Sequence, residues 1–181
     1  YPESLMGIIA FARQSFLDAQ YQAVVQAAYD KSKGGANRPA DDPALTAMRP
    51  ALAGRQPVAF EAQLAREIRR ALTFAAEFKL DPIITGGREA GATAADLKAQ
   101  NAKVILSLDY PARPRGLAPD ADESLETLRQ RADAPKTAGQ LEKGGVLFAF
   151  ASAGLKEPAD FVKNAARAVT AGLSSEAAVR A

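Results

Sequence analysis

The chain has 181 residues, 48% of them apolar and 24% charged, with a formal net charge of +2 and neither cysteine nor histidine. That is enough chain for one domain with a real core, and too little net charge to suggest nucleic acid or an anionic membrane as a partner. The missing cysteines exclude disulfides and thiolate chemistry; the missing histidines exclude Ser–His triads, imidazole bases and His-rich zinc sites within this chain.

Taken in order, residues 5–27 carry the pattern of a helix, with Leu5, Ile8, Ile9, Phe11, Phe16 and Leu17 marking its apolar surface. A polar, turn-rich loop follows over residues 29–43, densest in turn formers at 31–39. Asp42-Pro43 opens a short helical piece that Pro50 is expected to interrupt and Gly54 to end. Residues 57–62 read as a strand, and residues 64–79 as a helix whose Leu64, Ile68, Leu72 and Ala75 share one face. Pro82-Ile83-Ile84-Thr85 is a second strand closed by Gly86-Gly87, and residues 92–100 form a helix anchored by Leu97. Residues 103–108 form a third strand, followed by a Pro- and Gly-rich loop over 110–119. Helical turns are expected at 123–131 and 137–143, a fourth strand at 146–150 and a helix at 158–171 closed by Gly172. Ser174 or Ser175 can cap a last helical piece.

Four β-rich runs alternating with helices define an α/β chain with a parallel sheet covered by helices. A complete (β/α)8 TIM barrel needs about 250 residues, so residues 1–181 are expected to form a single partial barrel domain, about strands five to eight with their helices. A small open parallel sheet is the alternative. The opening Tyr1-Pro2-Glu3-Ser4 lacks an initiator methionine and a basic signal region, and reads as the interior of a longer chain.

In a parallel sheet the ligand face lies at the C-terminal ends of the strands. The candidate ligand-binding side chains are therefore Glu61, Thr85, Arg88, Asp109, Tyr110 and Ser152. Each has a plainer alternative. Glu61 can serve a structural ion pair with Arg55, Arg66 or Arg88, since a buried carboxylate needs a partner. Asp109 can cap its loop, with Tyr110 packed under Pro111. Ser152 lacks any histidine base, leaving only a lysine such as Lys156 to activate it. Gly86-Gly87 do not match the three-glycine dinucleotide fingerprint and read better as a tight turn than as a phosphate cradle. Basic residues are interspersed with acids, without a basic stripe, so no nucleic-acid partner is expected. No apolar run approaches the length of a membrane span, so no membrane partner is expected either. The chain reads as soluble, cytoplasmic or exported with its signal outside these residues.

Three segments carry a resemblance. They are Pro57-Val58-Ala59-Phe60-Glu61-Ala62 with Glu67-Ile68-Arg69-Arg70-Ala71-Leu72; residues 82–90 running through Ala95-Asp96-Leu97-Lys98 to Val104-Ile105-Leu106; and residues 145–152 continuing to 164–169 and Gly172-Leu173-Ser174. In order and spacing they resemble the second half of the metal-dependent amidohydrolase superfamily, in the branch close to imidazolonepropionase and dipeptide-cleaving enzymes. The N-terminal segment Leu5-Met6-Gly7-Ile8-Ile9-Ala10-Phe11 resembles the same branch. The resemblance implies a (β/α)8 barrel holding one or two divalent metals at its C-terminal face, with a metal-activated water attacking a C–N bond. In that family a His-x-His pair lies on the first strand, histidines end strands five and six, and an aspartate ends strand eight. The strand-five position falls here at Glu61, the strand-six position at Gly86 or Gly87, and the strand-eight position at Ala153. The resemblance thus implies no catalytic and no metal-binding residue in this chain. Zinc or another divalent metal is expected only if a longer protein keeps a site elsewhere.

Two functions fit this pattern. One is a noncatalytic amidohydrolase-like barrel fragment with a structural or ligand-binding role. The other is part of a metal-dependent hydrolase of amides, cyclic amides or dipeptides whose site is completed by the missing half. Strands five to eight alone leave two unpaired sheet edges, so self-association, or packing with the missing half-barrel, is expected.

Overall fold

The computed structural model describes residues 3–32, 37–118 and 120–181. Part of the predicted loop at 31–39, namely residues 33–36, lies outside the described residues, as do Tyr1, Pro2 and Pro119. The chain divides into two compact units: residues 1–58 with 74–81, and residues 59–73 with 82–181.

The first unit is built on α1 (Leu5–Lys31) and α2 (Pro43–Leu52). Ser4 caps α1 by accepting from the Gly7 amide at 3.1 Å. The helix runs four residues past the predicted end at residue 27, because Ala28-Tyr29-Asp30-Lys31 contain no breaker and Ser32 closes the ladder onto the Ala28 and Tyr29 carbonyls. Asp42 caps α2 through Ala44 and Leu45, with Pro43 in the first turn. Pro50 does not interrupt α2 as expected. It sits in the last turn, and the helix ends two residues later at Leu52, so little helix remains for it to interrupt. Phe16 packs on Phe74 and Phe78 at ring-centroid distances of 5.5 and 5.0 Å. Arg13 Nε donates to both Glu77 carboxylate oxygens, at 2.7 and 2.9 Å, which holds the Glu77 carboxyl below its ordinary range.

The second unit carries the sheet. Strands β1 (Val58–Ala62), β2 (Pro82–Gly86), β3 (Lys103–Ser107) and β4 (Phe148–Ala151) form a four-stranded parallel sheet in the order β1-β2-β3-β4. Ile84 aligns with Val104, and Val104 with Phe148. Helices α3 (Ala65–Phe78), α4 (Ala94–Ala99), α5 (Leu125–Asp133), α6 (Thr137–Lys143) and α7 (Ala159–Thr170) alternate with the strands, and α8 (Ser175–Arg180) follows. Ser124 caps α5, and Ser174 rather than Ser175 caps α8. Strand β4 begins at Phe148 instead of residue 146, because the Val146 amide is taken by the Leu141 carbonyl at the end of α6 (3.0 Å).

Strand order and burial together choose between the two predicted architectures. Strands that follow each other in space as they do in sequence, joined by right-handed crossovers, put their helices on one face. Along β3, Val104 and Leu106 are buried while Ile105 is exposed; along β1, Ala62 is buried while Ala59 and Glu61 are exposed. The buried set packs with Ile68 and Leu72 of α3, Leu97 of α4 and Leu141 of α6 in one core. A doubly wound open sheet would bury both faces. A sheet clothed on one face only is the wall of a barrel, and the chain is a partial (β/α) barrel. A smaller core under the β3–α5 loop joins Leu108, Tyr110 and Ala134 to Phe150, Leu155, Phe161 and Ala165.

Candidate functional site

The C-terminal strand ends open on a cavity of about 490 Å3, whose polar lining is Glu61, Gln63, Thr85, Arg88, Ser107 and Asp109, with Ile105, Ala151 and Gly154 among its walls. Its first wall, the β1–α3 turn, is fixed by Glu67 of α3 and by Glu89 beyond β2. Glu67 reaches back to accept from the Gln63 and Leu64 amides at 2.9 and 3.0 Å, and Glu89 accepts from the Ala65 amide at 2.9 Å. The two bonds to Glu67, that from Leu64 foremost, hold its carboxyl below its ordinary value of 4.5. A depressed carboxyl stabilises the fold above its unfolded pKa and loses that contribution as pH falls through the folded one. Glu67→Gln is therefore expected to cost about 1 kcal/mol at neutral pH. In paired urea titrations the deficit should shrink progressively as pH falls below 4.5, the carboxyl's ordinary value; a deficit that does not shrink on acidification contradicts the capping role.

At the end of β2, Gly86 has φ +92°, and a Cβ there would lie 2.2 Å from Gln63 Nε2. Gly87, at φ +60°, would place a Cβ 3.0 Å from Val104 Cγ1. The Gln63 side chain thus occupies the space above Gly86. On β3, the Ser107 hydroxyl donates to the Ala153 carbonyl (2.8 Å) and accepts from the Asp109 amide (3.1 Å), tying the β3 and β4 loops together. Asp109 packs on Gly154, whose Cβ would fall 2.8 Å from Asp109 Oδ2 at a backbone φ of +89°.

The structure brings four of the sequence-predicted residues, Glu61, Thr85, Arg88 and Asp109, to this one cavity. Glu61 is exposed on the uncovered sheet face and, among the described residues, makes no ion pair; solvent meets its charge in place of the predicted arginine partner. The Thr85 hydroxyl points at the Phe60 carbonyl at 3.4 Å. Tyr110 lies apart, buried in the smaller core with the Arg167 guanidinium 5.1 Å over its ring. Burial pushes its phenol up to about 12 against the opposing pull of Arg167. Its hydroxyl is buried with no hydrogen-bond partner among the described residues. Tyr110→Phe should therefore be neutral or stabilising by up to about 1 kcal/mol, since it removes an unsatisfied polar group and keeps the ring. A fall in urea midpoint would reveal a partner for that hydroxyl. Ser152 is exposed and outside the cavity, where its carbonyl closes the turn onto the Leu155 amide.

Gln63 and Ser107 are the cavity residues that sequence reading missed. Each stands two positions from a residue that it singled out, Glu61 and Asp109. Period-two alternation places such neighbours on the same side of a strand.

The donor set does not fit the metal that an amidohydrolase barrel implies. The positions at issue hold Glu61, Gly86 or Gly87, and Ala153. Among the described residues no group of three or more His, Cys, Asp or Glu is placed to hold a metal ion.

No protein-family model matches the chain, and no curated protein matches it. Among solved structures it is similar to the crystal structure of an amidohydrolase from Thermotoga maritima MSB8, with 22% sequence identity and a TM-score of 0.74, over 98% of this chain and 43% of that one. The chain folds like part of an amidohydrolase. It spans less than half the length of that protein, and at this identity the likeness concerns the fold alone. Within the amidohydrolase-like fold, the cavity of Glu61, Arg88 and Asp109 occupies the strand ends where barrels of this architecture carry their ligand sites.

Proposed function

We propose that this chain is a noncatalytic amidohydrolase-like half-barrel, one domain of a longer protein, that binds a small polar ligand at the C-terminal ends of its strands. The observation that carries the reading is the exchange of side chains at those ends. Positions where the family resemblance expects metal and water chemistry hold Glu61, Gly86 or Gly87 and Ala153, while Gln63, Thr85, Arg88, Ser107 and Asp109 give the cavity a hydrogen-bonding lining. Two carboxylates and one guanidinium suit a ligand that offers cationic or N–H donors along with an acceptor. Mapping a library of small amines, amides and amino acids by NMR tests this. Binders should shift the amides around Glu61, Gln63 and Asp109, and Glu61→Gln should weaken a cationic binder roughly tenfold. Binders that map nowhere on this end of the sheet would refute the proposal.

The uncovered sheet face supports the partner half of the reading. Ala59, Ile105 and Ala149 are exposed there, and β1 and β4 are the sheet edges. On β4 the Phe150 amide is met by the Ala181 carbonyl (3.0 Å) rather than by a further strand. This face is proposed to pack against the rest of a barrel, or against a second copy where that half is lacking. Light scattering should find a dimer or larger species for these 181 residues; a monodisperse monomer contradicts it.

The same coverage of 43% of the solved amidohydrolase supports a second reading, in which the rest of a longer protein supplies the metal site and this half supplies Glu61 and Asp109 to its lining. A longer natural protein that hydrolyses small amides or dipeptides in a metal-dependent way would favour it.

A further inference from the structure

Beside the strand-end cavity lies another of about 720 Å3, enclosed by the loops after β2, β3 and β4 and by the first turns of α7. Its lining gathers six cations, Arg88, Arg113, Arg115, Lys156, Lys163 and Arg167, against two carboxylates, Asp109 and Asp160. Some of this charge is already answered. Arg113 lies 3.8 Å from Glu123 and donates to the Ala118 carbonyl, and Lys163 lies 3.9 Å from Asp160. Arg88, Arg115, Lys156 and Arg167 make no ion pair among the described residues. One of these four is held in place. Arg167 stacks over Tyr110 at 5.1 Å and donates to Asn164 Oδ1 at 3.2 Å, while Asn164 is anchored by donating to the Leu108 carbonyl at 2.9 Å. A fixed guanidinium loses little freedom on meeting an oxyanion.

We infer that this basic cavity is a binding site for a multiply charged oxyanion, such as a phosphate ester or a small polycarboxylate. A concave wall of like charges focuses its field and attracts the opposite sign. Among the described residues, four cations without an ion pair stand against one such carboxylate, Asp109, an excess larger than one monovalent carboxylate can neutralise. The arginine forks match the paired oxygens of phosphate and carboxylate groups alike. The inference stands whether or not the neighbouring cavity binds its own ligand, although Arg88 and Asp109 line both.

Pyrophosphate and citrate are the probes, with acetate for comparison, titrated at low ionic strength into the protein and followed by amide NMR. Either polyanion should shift Arg115, Lys156, Lys163 and Arg167 saturably, and acetate should bind at least roughly tenfold more weakly. Tighter binding of pyrophosphate assigns the site to phosphate esters, and tighter binding of citrate assigns it to polycarboxylates. Arg115→Gln combined with Lys156→Gln removes two exposed cations without an ion pair, so folding should be unaffected while affinity falls roughly tenfold or more. Lys143→Gln, which removes an exposed cation that lines neither cavity, should leave the affinity unchanged. No saturable shift with either polyanion would overturn the inference. So would binding that survives the double substitution unchanged, since that would place the anion outside this cavity.

Discussion

Leu106→Ala is expected to destabilise the protein by about 3 kcal/mol, within the range of 2–5 kcal/mol for emptying a well-packed leucine site. Leu106 is 2% exposed on β3, in the same core as Ile84, Leu72 and Leu141. It is flanked in register by Gly86 on β2 and Phe150 on β4. The central strands of a parallel sheet have little freedom to collapse into a void, because their backbones are bonded on both sides. For a chain of this size the loss should appear as a fall in melting temperature of roughly 6–12 °C. The strand-end cavity should loosen with it, since Ser107 and Asp109 follow directly and depend on the position of β3. Thermal unfolding by circular dichroism measures the effect; a change below about 1 kcal/mol would mean that the site relaxes or that β3 is not central to the core.

Gly86→His has the second largest expected effect, and it bears directly on chemistry. It restores the side-chain type that the family resemblance expects at the end of this strand. At φ +92° a non-glycine residue is strained, and its Cβ would meet the Gln63 amide at 2.2 Å. Gln63 can swing aside, but the backbone strain remains, so a cost of about 1–3 kcal/mol is expected. Zinc should not restore the loss, because Gly87 and Ala153 still provide no donors, and one imidazole added to the Glu61 and Asp109 carboxylates falls short of a four-ligand site. A melting temperature that recovers on adding zinc would show that the barrel keeps latent ligands at this end.

Much of the fold was legible in the sequence because its signals are local. The runs at Val58–Ala62, Pro82–Gly86 and Lys103–Ser107 are short and apolar, and each is bounded by turn formers or charges. The alternating helices then required a parallel sheet. What local pattern could not give was whether helices covered one face or two; that depends on strand order, a property of the whole chain. The extent of α1 and the start of β4 were misread for a related reason. Helix ends answer to the next breaker and to where a backbone amide finds its carbonyl, as Val146 does on Leu141.

The candidate site was legible at Glu61, Thr85, Arg88 and Asp109 because each stands at or just past a strand end. Ser152 occupies an equivalent place in the sequence, yet the turn to Leu155 leaves it outside the cavity. Tyr110 belongs to a packing layer, and its neighbours Phe150, Leu155 and Phe161 come from residues far along the chain. The basic cavity had no linear signature. Its cations run from Arg88 to Arg167 among intervening acids, and only the convergence of three loops and one helix collects them.

The central proposal is that the strand ends of this partial barrel bind a small polar ligand and hold no metal ion. Elemental mass spectrometry of the purified protein, after dialysis against trace zinc and manganese, tests it most directly. The expected result is far less than one metal ion per chain. Near-stoichiometric metal that is lost in a Glu61→Gln variant would contradict the claim and make the strand ends a metal site after all.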